Sequence, residues 1–126
     1  MATILIVEDD ADIRASMAEL FQVEGYEVRT ASNGQEGLNS LTHATVLPDV
    51  ILLDLMMPIK DGFEFRREQL QNHKWSSIPV VVMSADANVK QKLESFGEPV
   101  PAYLKKPINL DDLISLVAQS VAQRQS

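Results

Sequence analysis

The acidic, hydroxyl and ammonium groups that could do chemistry in this chain each follow a short apolar segment. Glu8 and Asp9 come directly after the first segment, and Asp54 ends a later one. Ser84 follows a third segment, and Lys106 lies just beyond a fourth. Apolar runs bounded by turn residues are typical of strands buried on both faces, and open parallel sheets bind ligands beyond the carboxyl ends of their strands. We therefore expect these groups to converge at one edge of a sheet.

The carboxylates among these groups predict a metal site. Unit charges about 4 Å apart repel by about 1 kcal/mol in water and about 4 kcal/mol at an effective dielectric near 20, so gathered acids need a cation. Oxygen ligands without sulfur or imidazole favour a hard ion, and few protein ligands favour Mg²⁺ over Ca²⁺. Asp10 and Asp12 suit the N-cap and first turn of a helix instead. Glu8, Asp9 and Asp54 remain as the candidate ligands.

A hydroxyl and an ammonium at the same edge indicate more than metal binding. Transfer of a phosphoryl group onto a carboxylate needs a nucleophile, a divalent cation and donors around the phosphoryl oxygens. In this interpretation Asp54 is the nucleophile, and Lys106 and Ser84 are the donors.

The elements that must position these residues can be read from the spacing of apolar side chains. The predicted strands cover residues 3–7, 26–30, 50–54, 78–83 and 102–104. The side chains that recur at helical spacing after each strand are Ile13, Met17, Leu20 and Phe21; Leu38 and Leu41; Phe63, Phe65 and Leu70; Val89, Leu93 and Phe96; and Leu113, Leu116, Val117 and Val121. Asn109 is predicted to cap the last helix. Strands that alternate with helices predict an α/β, doubly wound, five-stranded parallel sheet with helices on both faces.

Composition excludes several classes of function. The 126 residues suit one domain, which we expect to cover residues 1–126. An excess of 18 acidic over 11 basic residues, a net charge of -7, disfavours direct binding of nucleic acid. The chain has no cysteine, so it has no disulfide and no thiolate metal site, and 2 histidines cannot form a zinc site by themselves. Because we find neither a signal-peptide pattern nor a membrane span, we expect a cytoplasmic protein.

Four segments, taken in order, resemble the receiver domains of two-component response regulators. They are ILIVEDD at residues 4–10, DLMMP at 54–58 with DG at 61–62, SA at 84–85, and YLKKP at 103–107. All four at these spacings form a highly specific pattern that spans nearly the whole chain. The resemblance implies a flavodoxin-like sheet with the strand order 2-1-3-4-5.

The same resemblance implies a role for each residue of the site. Asp54 would accept a phosphoryl group from a sensor histidine kinase or a histidine phosphotransfer protein. Glu8, Asp9, Asp54 and the backbone carbonyl of Met56 would hold Mg²⁺, with Glu8 acting through water. Lys106 would contact the phosphoryl group. Beyond its own phosphorylation and dephosphorylation, such a protein is not an enzyme.

The resemblance also implies a switch. Ser84 would move toward the phosphoryl group and Tyr103 would turn inward, which would change the surface formed by the fourth helix, fifth strand and fifth helix. A downstream effector protein would bind that surface, since we expect no effector domain after the last helix. A dimer that forms on phosphorylation is a further possible outcome. The family suggests a cis peptide bond between Lys106 and Pro107. The chain departs from the family pattern at residues 97–102, where two prolines stiffen the loop.

Three other functions compete with this one. The sequence of Asp10, Ala11 and Asp12 suggests an aspartyl-phosphate phosphatase, although no substrate pocket or cap domain is evident. A flavin or nucleotide carrier would need a phosphate-binding loop, and the chain has neither a Walker-type loop nor a GxGxxG pattern. The same fold without phosphorylation would be a constitutive interaction module.

Overall fold

Strands and helices alternate along the chain, as the sequence predicts. The computed structural model describes residues 1–95 and 101–125. The strands are β1 (Thr3–Val7), β2 (Glu27–Ala31), β3 (Val50–Asp54), β4 (Val80–Ser84) and β5 (Ala102–Lys105). The helices are α1 (Ala11–Val23), α2 (Gly34–His43), α3 (Gly62–Gln71), α4 (Val89–Glu94) and α5 (Leu110–Gln125).

The five strands form one parallel sheet in the order β2-β1-β3-β4-β5. Chain order reverses direction between β1 and β3, which is where doubly wound sheets place their ligands. Register aligns the strand ends there, because Val7 pairs with Leu53 and Asp54 pairs with Met83. The predicted fold class and strand order are confirmed.

Alternate residues of each strand pack on opposite faces of the sheet. In β1, Leu5 and Val7 are buried in a cluster with side chains of α2, α3 and α4. Ile4 and Ile6 are buried in a second cluster with side chains of α1 and α5. This alternation follows from the two-residue period of a strand, and it explains why the strands are apolar on both faces.

Two strands begin later than predicted. The amide of Tyr26 donates to the carbonyl of Phe21 at 3.0 Å, and the two rings meet edge to face, so Tyr26 closes the end of α1 and β2 begins at Glu27. The amide of Ile78 donates to the carbonyl of Trp75 at 3.0 Å, and Pro79 has no amide hydrogen. β4 therefore begins at Val80.

The predicted caps are present. The side chain of Asp10 accepts the amide of Ile13 at 2.9 Å, and the side chain of Asn109 accepts the amide of Asp112 at 3.0 Å. Ile13 was predicted to lie on the buried face of α1, but its side chain is 44% exposed, so the buried face begins later in the helix. The predicted core residue Phe96 and most of the stiffened loop at 97–102 lie outside the described residues.

Candidate functional site

Backbone hydrogen bonds continue the sheet just past its carboxyl edge and hold the backbone of the site. The amide of Glu8 donates to the carbonyl of Ala31 at 3.0 Å. On the other side, the amide of Lys106 donates to the carbonyl of Ser84 at 2.9 Å. The residues beyond the strand ends are thus positioned by the rigid sheet as well as by their loops.

Three acids come together at this edge. Glu8 and Asp54 are 1% and 3% exposed, whereas Asp9 is exposed, and one carboxylate oxygen of each lies within 4.8 Å of the others. We call Glu8, Asp9 and Asp54 the acid cluster. Within the described part of the chain, no N–H group and no hydroxyl donates to the buried Oε2 of Glu8, which has the carboxyl group of Asp54 beside it. A buried carboxylate oxygen without such a donor is costly, so the cluster fits a hard cation that would ligate it.

Electrostatics within the acid cluster bear most strongly on Glu8. Burial, a side-chain hydrogen bond with Asp54 and the charge of Asp54 together raise the pKa of Glu8 to about 8. The ammonium of Lys106 acts in the opposite direction but does not cancel it. Without a cation, Glu8 therefore holds a proton at neutral pH.

Lys106 lies on the same face of the sheet as the acids. Its Nζ is 3.4 Å from Oδ2 of Asp54, and its side chain is 32% exposed while that of Asp54 is 4% exposed. Glu8 and Lys106 also line one side of a groove of about 410 Å³ between α1 and the start of α5. The alternation of the strands explains this placement, because Glu8 is two residues beyond Ile6, which packs toward α1 and α5.

The loop from β3 to α3 returns to the acid cluster. Oδ1 of Asp54 accepts the amide of Met56 at 3.1 Å, which brings the backbone of Met56 to the carboxylate. The role of its carbonyl as a ligand stays a prediction.

Farther along the same loop, the carbonyl of Lys60 accepts the amide of Gly34 at 2.9 Å, and a Cβ at Gly34 would lie 2.5 Å from that oxygen. The sequence interpretation missed this contact between the start of α2 and the loop.

The two predicted switch residues, Ser84 and Tyr103, lie beside the site and have different surroundings. Ser84 is 1% exposed, and its Oγ accepts the amide of Asp86 at 3.0 Å. Tyr103 is half-buried and packs against the cluster on the α2, α3 and α4 face. The predicted cis bond before Pro107 is present. The movement of Ser84 and the inward turn of Tyr103 stay predictions.

Arg14 was also missed by the sequence interpretation. It extends from the first turn of α1 back toward Glu8 and Asp9, and its Nη1 donates to the Glu8 carbonyl at 2.8 Å. The available signal was its spacing, since residue 14 is one helical turn beyond the capping residue Asp10.

Comparison with known proteins identifies the family. The model of the response regulator receiver domain matches residues 4–118. The chain belongs to this family. Receiver domains of this kind are parts of two-component systems, and the resemblance drawn from the four sequence segments is confirmed.

Curated relatives of this receiver domain are longer proteins. The KDP operon transcriptional regulatory protein KdpE of Escherichia coli (strain K12) is 38% identical over 113 residues, which are 90% of this chain and 48% of KdpE. The regulatory protein AtoC of the same strain is 35% identical over 123 residues, which are 98% of this chain and 26% of AtoC. The chain therefore spans less than half the length of either relative.

Solved structures agree with the fold. A response regulator receiver domain protein from Clostridium thermocellum has a TM-score of 0.87 at 26% identity and covers 99% of this chain, with 98% of its own chain covered. The chemotaxis protein CheY4 of Vibrio cholerae has a TM-score of 0.83 at 30% identity, with 95% and 98% covered. In the described part of this receiver domain, no helix has the length and apolar character of a membrane span.

Proposed function

We propose that this receiver domain takes a phosphoryl group onto Asp54 and that the phosphorylated form changes its binding to a partner protein. One observation carries the proposal. The nearly buried Asp54 carboxylate has the ammonium of Lys106 at 3.4 Å and the carboxylates of Glu8 and Asp9 within 4.8 Å. A nucleophile placed between an ammonium and two acids that could hold a metal ion is suited to phosphoryl transfer.

In the proposed step, an oxygen of Asp54 attacks the phosphorus of a phosphohistidine on a sensor kinase or phosphotransfer protein. The new O–P bond forms as the P–N bond breaks, and the imidazole nitrogen keeps the electron pair. Lys106 supports the step by placing its ammonium next to the oxygens that carry the transferred charge. Hydrolysis later breaks the O–P bond and returns the Asp54 carboxylate and inorganic phosphate.

Glu8, Asp9, Asp54 and the carbonyl of Met56 are the proposed ligands of Mg²⁺. The bound ion would offset negative charge on the phosphoryl oxygens and keep the acids ionised beside one another. Support comes from the oxygen-only donor set and from the burial of Oε2 of Glu8, to which no N–H group and no hydroxyl of the described residues donates.

Ser84 is the proposed link from the phosphoryl group to a binding surface. Its Oγ is an acceptor in the bond from the Asp86 amide, so its O–H can donate to a phosphoryl oxygen. A phosphoryl group adds about -1.5 to -2 charge, which makes that bond charge-assisted. Rotation of Ser84 would disturb the loop into α4, and Tyr103 on the neighbouring strand would follow. The surface of α4, β5 and α5 would then be read by an effector protein.

This proposal gives the chain no substrate other than its phosphodonor, and the only reactions it promotes are its own phosphorylation and dephosphorylation. The reactions would take place in the cytoplasm, with which a cysteine-free composition agrees.

Incubation with acetyl phosphate and Mg²⁺, followed by intact mass measurement, tests the proposal. We expect the wild-type mass to increase by one phosphoryl group, Asp54→Asn to stay unchanged, and the exposed control Asp111→Asn to match wild type. EDTA should prevent the increase. An unshifted wild-type mass beside a working control receiver would favour a constitutive interaction module instead.

The phosphatase alternative has less support. An aspartyl-phosphate phosphatase of this kind would need the Asp10 carboxylate to carry the phosphoryl group, but Oδ1 of Asp10 accepts the amide of Ile13 at 2.9 Å and caps α1. Turnover of small phosphoesters separates the two functions. If turnover is measurable and is lost in Asp10→Asn but retained in Asp54→Asn, the phosphatase assignment is correct and ours is wrong.

A further inference from the structure

Arg14 connects α1 to the backbone of the acid cluster. Its Nη1 lies 2.8 Å from the carbonyl oxygen of Glu8 and 3.4 Å from the carbonyl oxygen of Asp9. Its side chain is half-buried. One guanidinium group therefore contacts two consecutive peptide groups of the loop between β1 and α1.

These two peptide groups flank the Cα atom of Asp9. Each peptide group is planar, so the orientations of the two planes fix φ and ψ of Asp9 and hence the direction of its Cα–Cβ bond. Among the three acids, Asp9 is the one that depends most on such a contact. Glu8 is buried and donates its amide to Ala31, and Asp54 is the last residue of a central strand, whereas Asp9 is exposed.

Arg14 contacts the loop without neutralising it. Among the described residues, it forms no ion pair within 4.0 Å, and its hydrogen bonds go to carbonyl oxygens. Arg14 therefore occupies none of the carboxylate oxygens that would bind a cation. Both carbonyl oxygens are contacted by the same nitrogen, Nη1, so the contact depends on where the Arg14 side chain holds that one group.

We infer that Arg14 is a positioning residue that aims the carboxylate of Asp9 at the bound cation. The inference rests on the proposed function, since it assumes that the acid cluster holds Mg²⁺. Removal of a group that orients a metal ligand without binding the metal typically weakens metal affinity by about 10-fold to 100-fold.

Direct Mg²⁺ titration of the unphosphorylated protein by calorimetry tests the inference. We expect Arg14→Ala to weaken Mg²⁺ binding by about 10-fold or more, and Arg14→Lys to weaken it less. Arg29→Ala is the matched control, because Arg29 also donates to a backbone carbonyl, that of Val46 at 2.7 Å, but on a different loop. Arg29→Ala should bind Mg²⁺ as wild type does.

Phosphorylation kinetics give a second measurement that a general loss of stability would not reproduce. In Arg14→Ala, the Mg²⁺ concentration for half-maximal phosphorylation should increase by the same factor as the dissociation constant, while the rate at saturating Mg²⁺ stays close to wild type. Urea unfolding checks that both alanine variants are folded. If Arg14→Ala does not fold, Arg14→Lys is used for the titration, and a loss of Mg²⁺ affinity is again expected.

The outcomes distinguish this inference from the proposed function. Wild type that binds Mg²⁺ and becomes phosphorylated, beside a folded Arg14 variant with unchanged Mg²⁺ affinity, overturns the inference alone. An equal loss of affinity in Arg29→Ala also overturns it. Wild type that neither binds Mg²⁺ nor becomes phosphorylated overturns the proposed function and the inference with it.

Discussion

The buried carboxyl group of Glu8 should make the metal-free protein less stable as the pH rises. Burial and the nearby Asp54 carboxylate raise the pKa of Glu8 from 4.5 to about 8 in the folded state. Because the two carboxylates approach within 4.8 Å, two such charges would repel by at least about 3.5 kcal/mol at an effective dielectric near 20. The informative perturbation is Glu8→Gln, which keeps the shape of the side chain and removes its charge.

The sign follows from proton binding. Between the two pKa values, folded Glu8 holds a proton that the unfolded chain has released, so the free energy of unfolding falls as the pH increases. The slope is about 1.4 kcal/mol per pH unit for one proton. From about pH 5.5 to 7.5, wild type should therefore lose about 2.5 kcal/mol relative to Glu8→Gln.

Urea unfolding in EDTA at several pH values measures this difference. Glu19→Gln, an exposed substitution on α1, is the control and should follow wild type. If the free energies of unfolding of wild type and Glu8→Gln change with pH by the same amount, the reasoning is refuted. That result would mean that Glu8 is ionised in the folded protein. Saturating Mg²⁺ should stabilise wild type more at pH 7.5 than at 5.5, since the cation binds the ionised carboxylate.

Three other substitutions test the charge of Lys106 and two contacts that stabilise the fold around the site. Lys106→Gln should slow phosphorylation by acetyl phosphate at saturating Mg²⁺ by roughly 100-fold, because it removes the ammonium beside the phosphoryl acceptor. Time courses of intact mass measure this rate. The control Lys105→Gln, at an exposed position, should match wild type. Gly34→Ala should lower the free energy of unfolding in urea by about 1 to 3 kcal/mol, since its Cβ would lie 2.5 Å from the carbonyl oxygen of Lys60; a loss below about 0.5 kcal/mol would mean that the loop yields freely. Asp61→Ala should lose about 1 kcal/mol in the same assay because Asp61 forms a capping box at the start of α3, and Asp61→Asn should retain most of that stability.

Short-range patterns in the sequence determined the order of the elements and the residues that follow each strand. Apolar runs such as residues 50–53 are long enough for a buried strand and too short for a helix, and Asp10 and Asn109 mark helix starts. Helices between strands require parallel pairing, so the sequence placed Asp54 and Glu8 at the same edge of the sheet. The resemblance to receiver domains added the strand order.

Contacts between distant parts of the chain were decided only by the tertiary structure. The late start of β4 agrees with this, because the carbonyl of Ile78 accepts from the side chain of Gln69 in α3, in addition to the local effects of Trp75 and Pro79. The face on which Lys106 meets Asp54, at 3.4 Å, depends on strand register. The spacing of Arg14 from Asp10 placed its side chain near the loop, but the structure alone shows that it contacts backbone carbonyls rather than an acid. Local patterns determine which elements form because they act within a few residues, whereas register and packing determine which side chains share a site.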